Sequence, residues 1–143
     1  MKVALLTNEF PPDIYGGAGI HVQFLSRELK AFCEIEARAF GHQNDTERNL
    51  HALGFSPKLG IVPSDSRISK ILNPLDINLQ WMGSLEKIDI VHCHTWYSHF
   101  GGVLASRLLE CPLVLTTHSL EPHRPWKAEQ LGNGGYQMSS WIE

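Results

Sequence analysis

The sequence is poor in cysteine, and the way its cysteines are spaced excludes two kinds of stabilisation. Cys33, Cys93 and Cys111 are odd in number, and none belongs to a Cys-x-x-Cys pair. A disulfide framework or a thiolate zinc site needs paired, closely spaced cysteines. We therefore predict buried free thiols.

Basic charge and long apolar runs are also scarce. The formal net charge is −3, so no basic field favours nucleic acid or an anionic membrane surface. The N-terminal apolar run has about five residues, fewer than the roughly 7–15 of a signal peptide or 20 of a membrane span. We expect a cytoplasmic protein with no nucleic-acid or membrane partner, and its 143 residues suffice for one domain with its own core.

The familiar nucleotide-binding fingerprints are incomplete. Gly17-x-Gly19-x-x-Val22 lacks the last glycine of a dinucleotide site, and no Lys-Ser/Thr follows it as in a P-loop. A dehydrogenase would also place an acidic residue at the end of its second strand to bind the ribose. That strand ends here in Ala39-Phe40-Gly41, so the sequence argues against a dehydrogenase.

What the sequence does contain is a strand, a Pro/Gly loop and a helix between Lys2 and Val22. An apolar run predicts a strand over 2–7, and an apolar stripe predicts a helix from Ile20 to Phe32 through Phe24, Leu25 and Leu29. Between them, Gly16, Gly17 and Gly19 would let a phosphate or a sugar hydroxyl approach backbone N–H groups. The alternative is that these glycines only make a tight turn.

Strands alternate with helices along the rest of the chain. This pattern predicts an α/β domain with a doubly wound, Rossmann-like parallel sheet, its strands in the order 3-2-1-4-5. The later strands are predicted at 34–40, 59–62, 88–94 and 112–117. Between 42 and 57 we expect a loop with one helical turn near 46–53. Further helices are predicted at 66–73, capped by Ser64 or Asp65 and broken by Pro74, then at 75–85, 96–109, 125–132 and 136–143, with a break at Gly134-Gly135.

Three unusual loops should converge at the carboxyl edge of this sheet, where such folds bind ligands. They are residues 11–19, 94–99 and 118–126. Each side chain has a structural alternative to a functional role. Trp96 and Trp126 offer a sugar platform or a cap on the core, and Glu121 offers a ligand contact or an ion pair with Arg124. His92 and His94 share one side of their strand, but no well-spaced third ligand accompanies them, so we expect no metal site.

Four segments now become specific when they are taken together. They read KVALLTNEFPP from Lys2, YGGAG from Tyr15, DIVHCHTWY from Asp89 and THSLEPHRPWKAEQLG from Thr117. In this order they resemble the N-terminal domain of retaining GT-B glycosyltransferases, and within that group the bacterial glycogen synthase branch with its maltose-1-phosphate-forming enzymes.

The resemblance implies transfer of glucose from ADP-glucose or UDP-glucose to an α-glucan or a glucosyl phosphate, with retention and without a metal or other cofactor. It implies that Gly16 and Gly17 approach the donor diphosphate and that His94 lies beside the acceptor. It also implies that His118 is a catalytic residue that forms a hydrogen bond with the donor sugar. With them we take Trp96 and Glu121 as substrate-binding candidates.

Two departures bear on the branch. Classical starch and glycogen synthases have Lys at the position of Ile14 and Asp at the position of Thr95, which favours the maltose-1-phosphate branch. The family also binds most of its donor in a second domain that these residues do not contain. We therefore expect residues 1–143 to be an incomplete N-terminal, acceptor-side domain, inactive alone. The alternative is a stand-alone, non-catalytic sugar-binding or interaction module with the same fold.

Overall fold

A computed structural model describes residues 1–58, 60 and 66–143, and the centre of this part of the chain is a six-stranded sheet. The strand order is β3-β4-β2-β1-β5-β6. Every neighbouring pair is parallel except β3 and β4, which form an antiparallel hairpin at one edge. The strands are β1 (Lys2–Leu6), β2 (Glu34–Phe40), β3 (Asn44–Glu47), β4 (Leu50–Phe55), β5 (Ile90–His94) and β6 (Leu113–Thr116).

Helices cover both faces of the sheet. They are α1 (Gly17–Leu29), α2 (Ser66–Met82), α3 (Trp96–Leu108) and α4 (Lys127–Ile142), and one 3₁₀ turn spans Glu121–His123. Along β1, Val3 and Leu5 pack with Val22 of α1, whereas Ala4 and Leu6 pack on the opposite face with the core of α2 and α3. A strand buried on both faces is typical of a doubly wound sheet, so the predicted fold class is confirmed.

The predicted strand order needs one change. The inner part of the sheet, β2-β1-β5-β6, has the predicted arrangement. The position next to β2 is taken by β4, in a region predicted as a loop with a helical turn, and that prediction is wrong. The strand predicted at 59–62 and the caps predicted at Ser64 and Asp65 lie outside the described residues.

Of three predicted helix breaks, at Pro74, Gly132 and Gly134-Gly135, one is present in the structure. Pro74 lies inside α2, so the break predicted there is wrong. In α4, Gly132 has φ 73° and ψ 161° and interrupts the helix as predicted. The third predicted break is wrong, because Gly134 and Gly135 continue the helix. Gly135 lies against α2, where a Cβ would be 3.3 Å from Ile71 Cγ1.

The apolar stripe predicted for α1 is only partly correct. Leu25 and Leu29 pack against the core, but Ile20 and Phe24 are 49% and 55% exposed. The buried face of α1 instead carries the small residues Gly19, Val22 and Ser26, which let the helix lie close to the sheet.

The predicted state of the cysteines is confirmed, since Cys33, Cys93 and Cys111 are all free and buried. Among the helices of the described part of the chain, none combines the length and the apolar character that crossing a membrane requires.

Candidate functional site

The loops that follow β1, β5 and β6 meet at the carboxyl edge of the sheet, as predicted. The Thr95 hydroxyl, after β5, donates to Asn8 Oδ1, after β1, at 3.0 Å. His94 Nδ1 lies 3.1 Å from Nε2 of His118, which follows β6. One cluster of side chains therefore joins the three segments that carry the candidate residues.

Imidazole rings dominate this cluster. His94 is fully buried, and His118 above it is exposed. The ring of His21, on α1, lies 5.1 Å from the ring of His118 and 5.5 Å from that of His94. His92 lies 4.3 Å from His94, and its Nε2 is 2.8 Å from the Thr116 hydroxyl. Two exposed rings thus stand over a buried one.

The surroundings of His94 and His118 favour the neutral form of both rings. Burial, with the neighbouring histidines adding to it, lowers the pKa of His94 to about 3. Burial and His21 also lower the pKa of His118, and the Glu9 carboxylate opposes them. A neutral imidazole both donates and accepts a hydrogen bond, so the contact between His94 and His118 needs only one shared proton. At neutral pH these rings suit sugar hydroxyls better than they suit isolated anions.

The glycine pair has open space around it. A Cβ on Gly16 or Gly17 would meet no atom within 4 Å, and Gly16 has an extended backbone (φ −157°, ψ −169°) that any residue adopts. Neither packing nor backbone conformation therefore accounts for glycine at residue 16. The N–H of Gly16 already donates to Glu9 Oε2 at 2.9 Å, so this group is occupied within the chain.

Besides His94, the candidate residues Trp96 and Glu121 are buried. Trp96 is 3% exposed, packs with Ile71 and Leu131, and stacks on Tyr97 with 4.2 Å between the rings. This geometry favours the core interpretation of Trp96, because the surrounding helices cover its ring.

Glu121 is 2% exposed, and its Oε1 accepts a bond of 3.3 Å from Arg124. This contact favours the ion-pair interpretation of Glu121. Trp126 is different, since it is 56% exposed and lies 6.0 Å from the Arg124 guanidinium.

The histidine cluster was also a candidate metal site. His92 and His94 lie on the same side of β5, as predicted. Within residues 1–58, 60 and 66–143, no group of three His, Cys, Asp or Glu side chains has the spacing that a metal ion requires.

Sequence reasoning missed several residues of this edge. A cleft of about 360 Å³ lies at the carboxyl ends of β1 and β2, and a larger cavity of about 410 Å³ between α2 and α4 contains none of the candidates. The cleft is lined by Asn8, Asp13, Tyr15, Phe40, Gly41 and Tyr97.

His21 and Glu9 were also missed as candidate residues. The available signal was position: His21 is one helical turn after Gly17, and Glu9 directly follows the first strand.

Thr95 adds an uncommon backbone conformation to the site. It precedes α3 with φ 66° and ψ 159°, a combination that is costly for a β-branched residue. Its N–H donates to the Thr116 carbonyl at 3.1 Å and its hydroxyl to Asn8. Strain held in this way at the junction of two loops is typical of a functional segment.

Comparison with known proteins identifies a family for this chain. The sequence profile of Glycosyltransferase Family 4 matches residues 15–141. The chain is 43% identical over its whole length to the alpha-maltose-1-phosphate synthase of Mycolicibacterium smegmatis, and it covers 34% of that protein. It thus spans about a third of the length of this curated relative.

Two solved structures share the fold. The catalytic domain of starch synthase IV from Arabidopsis thaliana, bound to ADP and acarbose, has a TM-score of 0.63 and 18% identity over 83% of this chain and 34% of its own. Sucrose-phosphate synthase from Thermosynechococcus elongatus has a TM-score of 0.66 and 15% identity over 99% of this chain and 39% of its own.

Proposed function

Because this chain belongs to glycosyltransferase family 4, we propose that it forms the acceptor side of a glucosyltransferase active site. The enzyme transfers glucose from ADP-glucose or UDP-glucose to a glucosyl phosphate or an α-glucan, with retention and without a cofactor. The observation that carries this proposal is the bond between His94 and His118 at the carboxyl edge of the sheet. The 43% identity to a maltose-1-phosphate synthase supports glucosyl phosphate as the acceptor.

The donor sugar is assigned to His118 and its diphosphate to Gly17. His118 is exposed while its ring is held by buried His94, which fixes its orientation. The N–H of Gly17 lies at the start of α1, where the helix dipole favours negative charge, and a Cβ at this residue would meet no atom within 4 Å. A hydrogen-bond donor held against the leaving group or the transferred sugar stabilises the transition state.

The acceptor sugar is assigned to the cleft at the carboxyl ends of β1 and β2. Tyr15 and Tyr97 supply aromatic surface, and Asp13 and Asn8 supply oxygen atoms that accept hydrogen bonds from sugar hydroxyls. Asp13 is held by the Gln43 amide at 3.1 Å, so this part of the cleft is pre-oriented.

The substrates are tested with the complete encoded protein. Radiolabelled ADP-glucose and UDP-glucose are each offered with α-glucose 1-phosphate or with glycogen, and the products are separated by charge and size. We expect a labelled disaccharide phosphate with α-glucose 1-phosphate and less label in glycogen. Binding of these sugars without any transfer would favour the non-catalytic module.

The role of His118 is tested by His118→Ala in the same protein. Loss of one hydrogen-bond donor to the transition state costs about 2–3 kcal/mol of activation free energy. The value of kcat/KM should therefore fall roughly 30- to 150-fold while the protein stays folded. His123→Ala removes an exposed histidine of the same segment and is the matched control. Unchanged kinetics in a folded His118→Ala variant would make His118 a structural residue.

A further inference from the structure

Glu9 is an acidic residue held inside the glycine loop. Glu9 is only 9% exposed. Its Oε2 accepts hydrogen bonds from the N–H groups of Tyr15 at 3.0 Å and Gly16 at 2.9 Å. Its backbone is fixed by Thr7, whose Oγ1 accepts the Glu9 N–H at 3.2 Å and whose hydroxyl donates to the Glu9 carbonyl at 3.1 Å. Bonds from N–H groups to an ionised carboxylate are among the stronger ones in proteins, so this contact ties the loop to the end of β1.

The Glu9 side chain explains why residue 19 is a glycine. A Cβ at residue 19 would lie 2.7 Å from Glu9 Oε2 and 2.9 Å from Glu9 Cβ. Gly16 and Gly17 have no neighbour within 4 Å of such an atom. The glycines therefore divide into two groups: Gly19 makes room for Glu9, whereas Gly16 and Gly17 leave room outside the chain.

We propose that Glu9 is a positioning residue for the donor-binding loop. By holding the N–H groups of Tyr15 and Gly16, it fixes the entry into α1, where Gly17 supplies the next N–H group for the donor. Glu9 does not touch the reacting atoms. This inference rests on the proposed function, because the loop matters for catalysis only if it binds the donor.

The structure specifies the variants that separate this role from simple packing. In Glu9→Gln the amide oxygen can accept the same two N–H groups, so the loop should keep its shape. Glu9→Ala removes the acceptor, and Gly19→Ala displaces it. Glu28→Ala removes a well exposed carboxylate on α1, the helix that contains Gly19, and is the matched control.

The experiment measures KM for the nucleotide sugar, KM for the acceptor and the thermal midpoint in the complete encoded protein. We expect Glu9→Ala and Gly19→Ala each to raise KM for the nucleotide sugar at least tenfold with little change in KM for the acceptor. Glu9→Gln should stay within about threefold of the native value. A native KM for the nucleotide sugar in Glu9→Ala would overturn the proposal.

Hydrogen exchange keeps this test separate from the test of function. If the protein shows no transfer with either nucleotide sugar, the proposed function fails, but the amides of Tyr15 and Gly16 can still be followed. We expect their protection to fall at least tenfold in Glu9→Ala and to survive in Glu9→Gln. Equal protection in the native protein and in Glu9→Ala would show that Glu9 does not hold the loop.

Discussion

At the scale of single residues, Gly17 distinguishes a ligand-binding loop from a mere turn. A side chain there meets no atom of the described chain, so Gly17→Ala and Gly17→Val should leave the thermal midpoint near the native value. The same side chain would block a ligand from the backbone N–H, and affinity for the nucleotide sugar should weaken at least roughly tenfold, about 1.4 kcal/mol.

Calorimetry of the complete protein with ADP-glucose and UDP-glucose measures this affinity. Gly134→Ala is the matched control, since that glycine also has no neighbour and lies in α4. A sharp fall in melting temperature with normal binding by the remaining folded protein would assign the glycine to the turn.

Some site residues could be predicted from the sequence, and others could not, for a physical reason. Gly17 and His118 have chemistry that stands out beside a strand end. Glu9 and His21 do not, because a glutamate or histidine near a loop is ordinary until the loop folds back onto it. Trp96 stood out in the sequence but is buried, because α2 and α4 cover it. The sequence spacing near Trp96 does not reveal these distant contacts.

At the scale of elements, one buried amide joins α2 to α3. Asn78 is fully buried. Its Nδ2 donates to the carbonyls of Pro74 at 2.7 Å and Tyr97 at 2.8 Å, and its Oδ1 accepts the Gly101 N–H at 2.5 Å. The packing is close, because a Cβ on Gly101 would lie 2.7 Å from this oxygen.

We therefore expect Asn78→Leu to destabilise the protein. Leucine has a similar size, but it leaves the carbonyl of Pro74 and the groups on α3 without these bonds. An unmet buried polar group costs about 1–3 kcal/mol. These three groups also lie inside helices, whose backbone bonds they can share, so we expect about 1 kcal/mol for each and a fall of about 3 kcal/mol in the free energy of unfolding, measured by urea titration. Asn133→Leu makes the same change at an exposed position of α4 and should have a small effect. An equal loss in both variants would contradict this role of Asn78.

The elements that could not be predicted are those whose pattern depends on neighbours. All four residues of β3 are exposed, so Asn44–Glu47 has no apolar alternation to indicate a strand. It forms because β4 offers it an edge to pair with. Pro74 was expected to end a helix, yet it lies inside α2. Packing holds the helix on both sides of the proline, because Ile71 packs with Leu131 of α4 and Trp81 lies in the main core. By contrast β1 and β2 pair inside the sheet. The apolar run of β1 and the alternating polar and apolar residues of β2 predicted these strands directly.

At the scale of the whole molecule, histidine burial makes stability depend on pH. Burial lowers the pKa of His94 to about 3 and that of His99 to about 4, and it also lowers the pKa values of His92 and His118. In the unfolded chain a histidine titrates near 6.5. Below that pH the unfolded chain binds more protons than the folded one, so stability is fully present above about pH 6.5 and is lost as the pH falls. The raised pKa of Glu143 acts in the opposite direction.

The slope of this loss can be measured and assigned to His99. Each fully buried histidine contributes about 1.4 kcal/mol per pH unit once the unfolded chain is protonated, so His94 and His99 together give about 2–3 kcal/mol per unit between pH 6 and pH 5. Urea titrations at several pH values in this window measure it. His99→Leu should reduce the slope by about 1.4 kcal/mol per unit, and leucine suits the site because neither ring nitrogen of His99 has a hydrogen-bond partner among the described residues. Trp96→Phe is the control on the same helix, since it weakens packing without removing a titrating group. A slope that is the same in His99→Leu and the native protein would show that His99 is protonated equally in the folded and unfolded states.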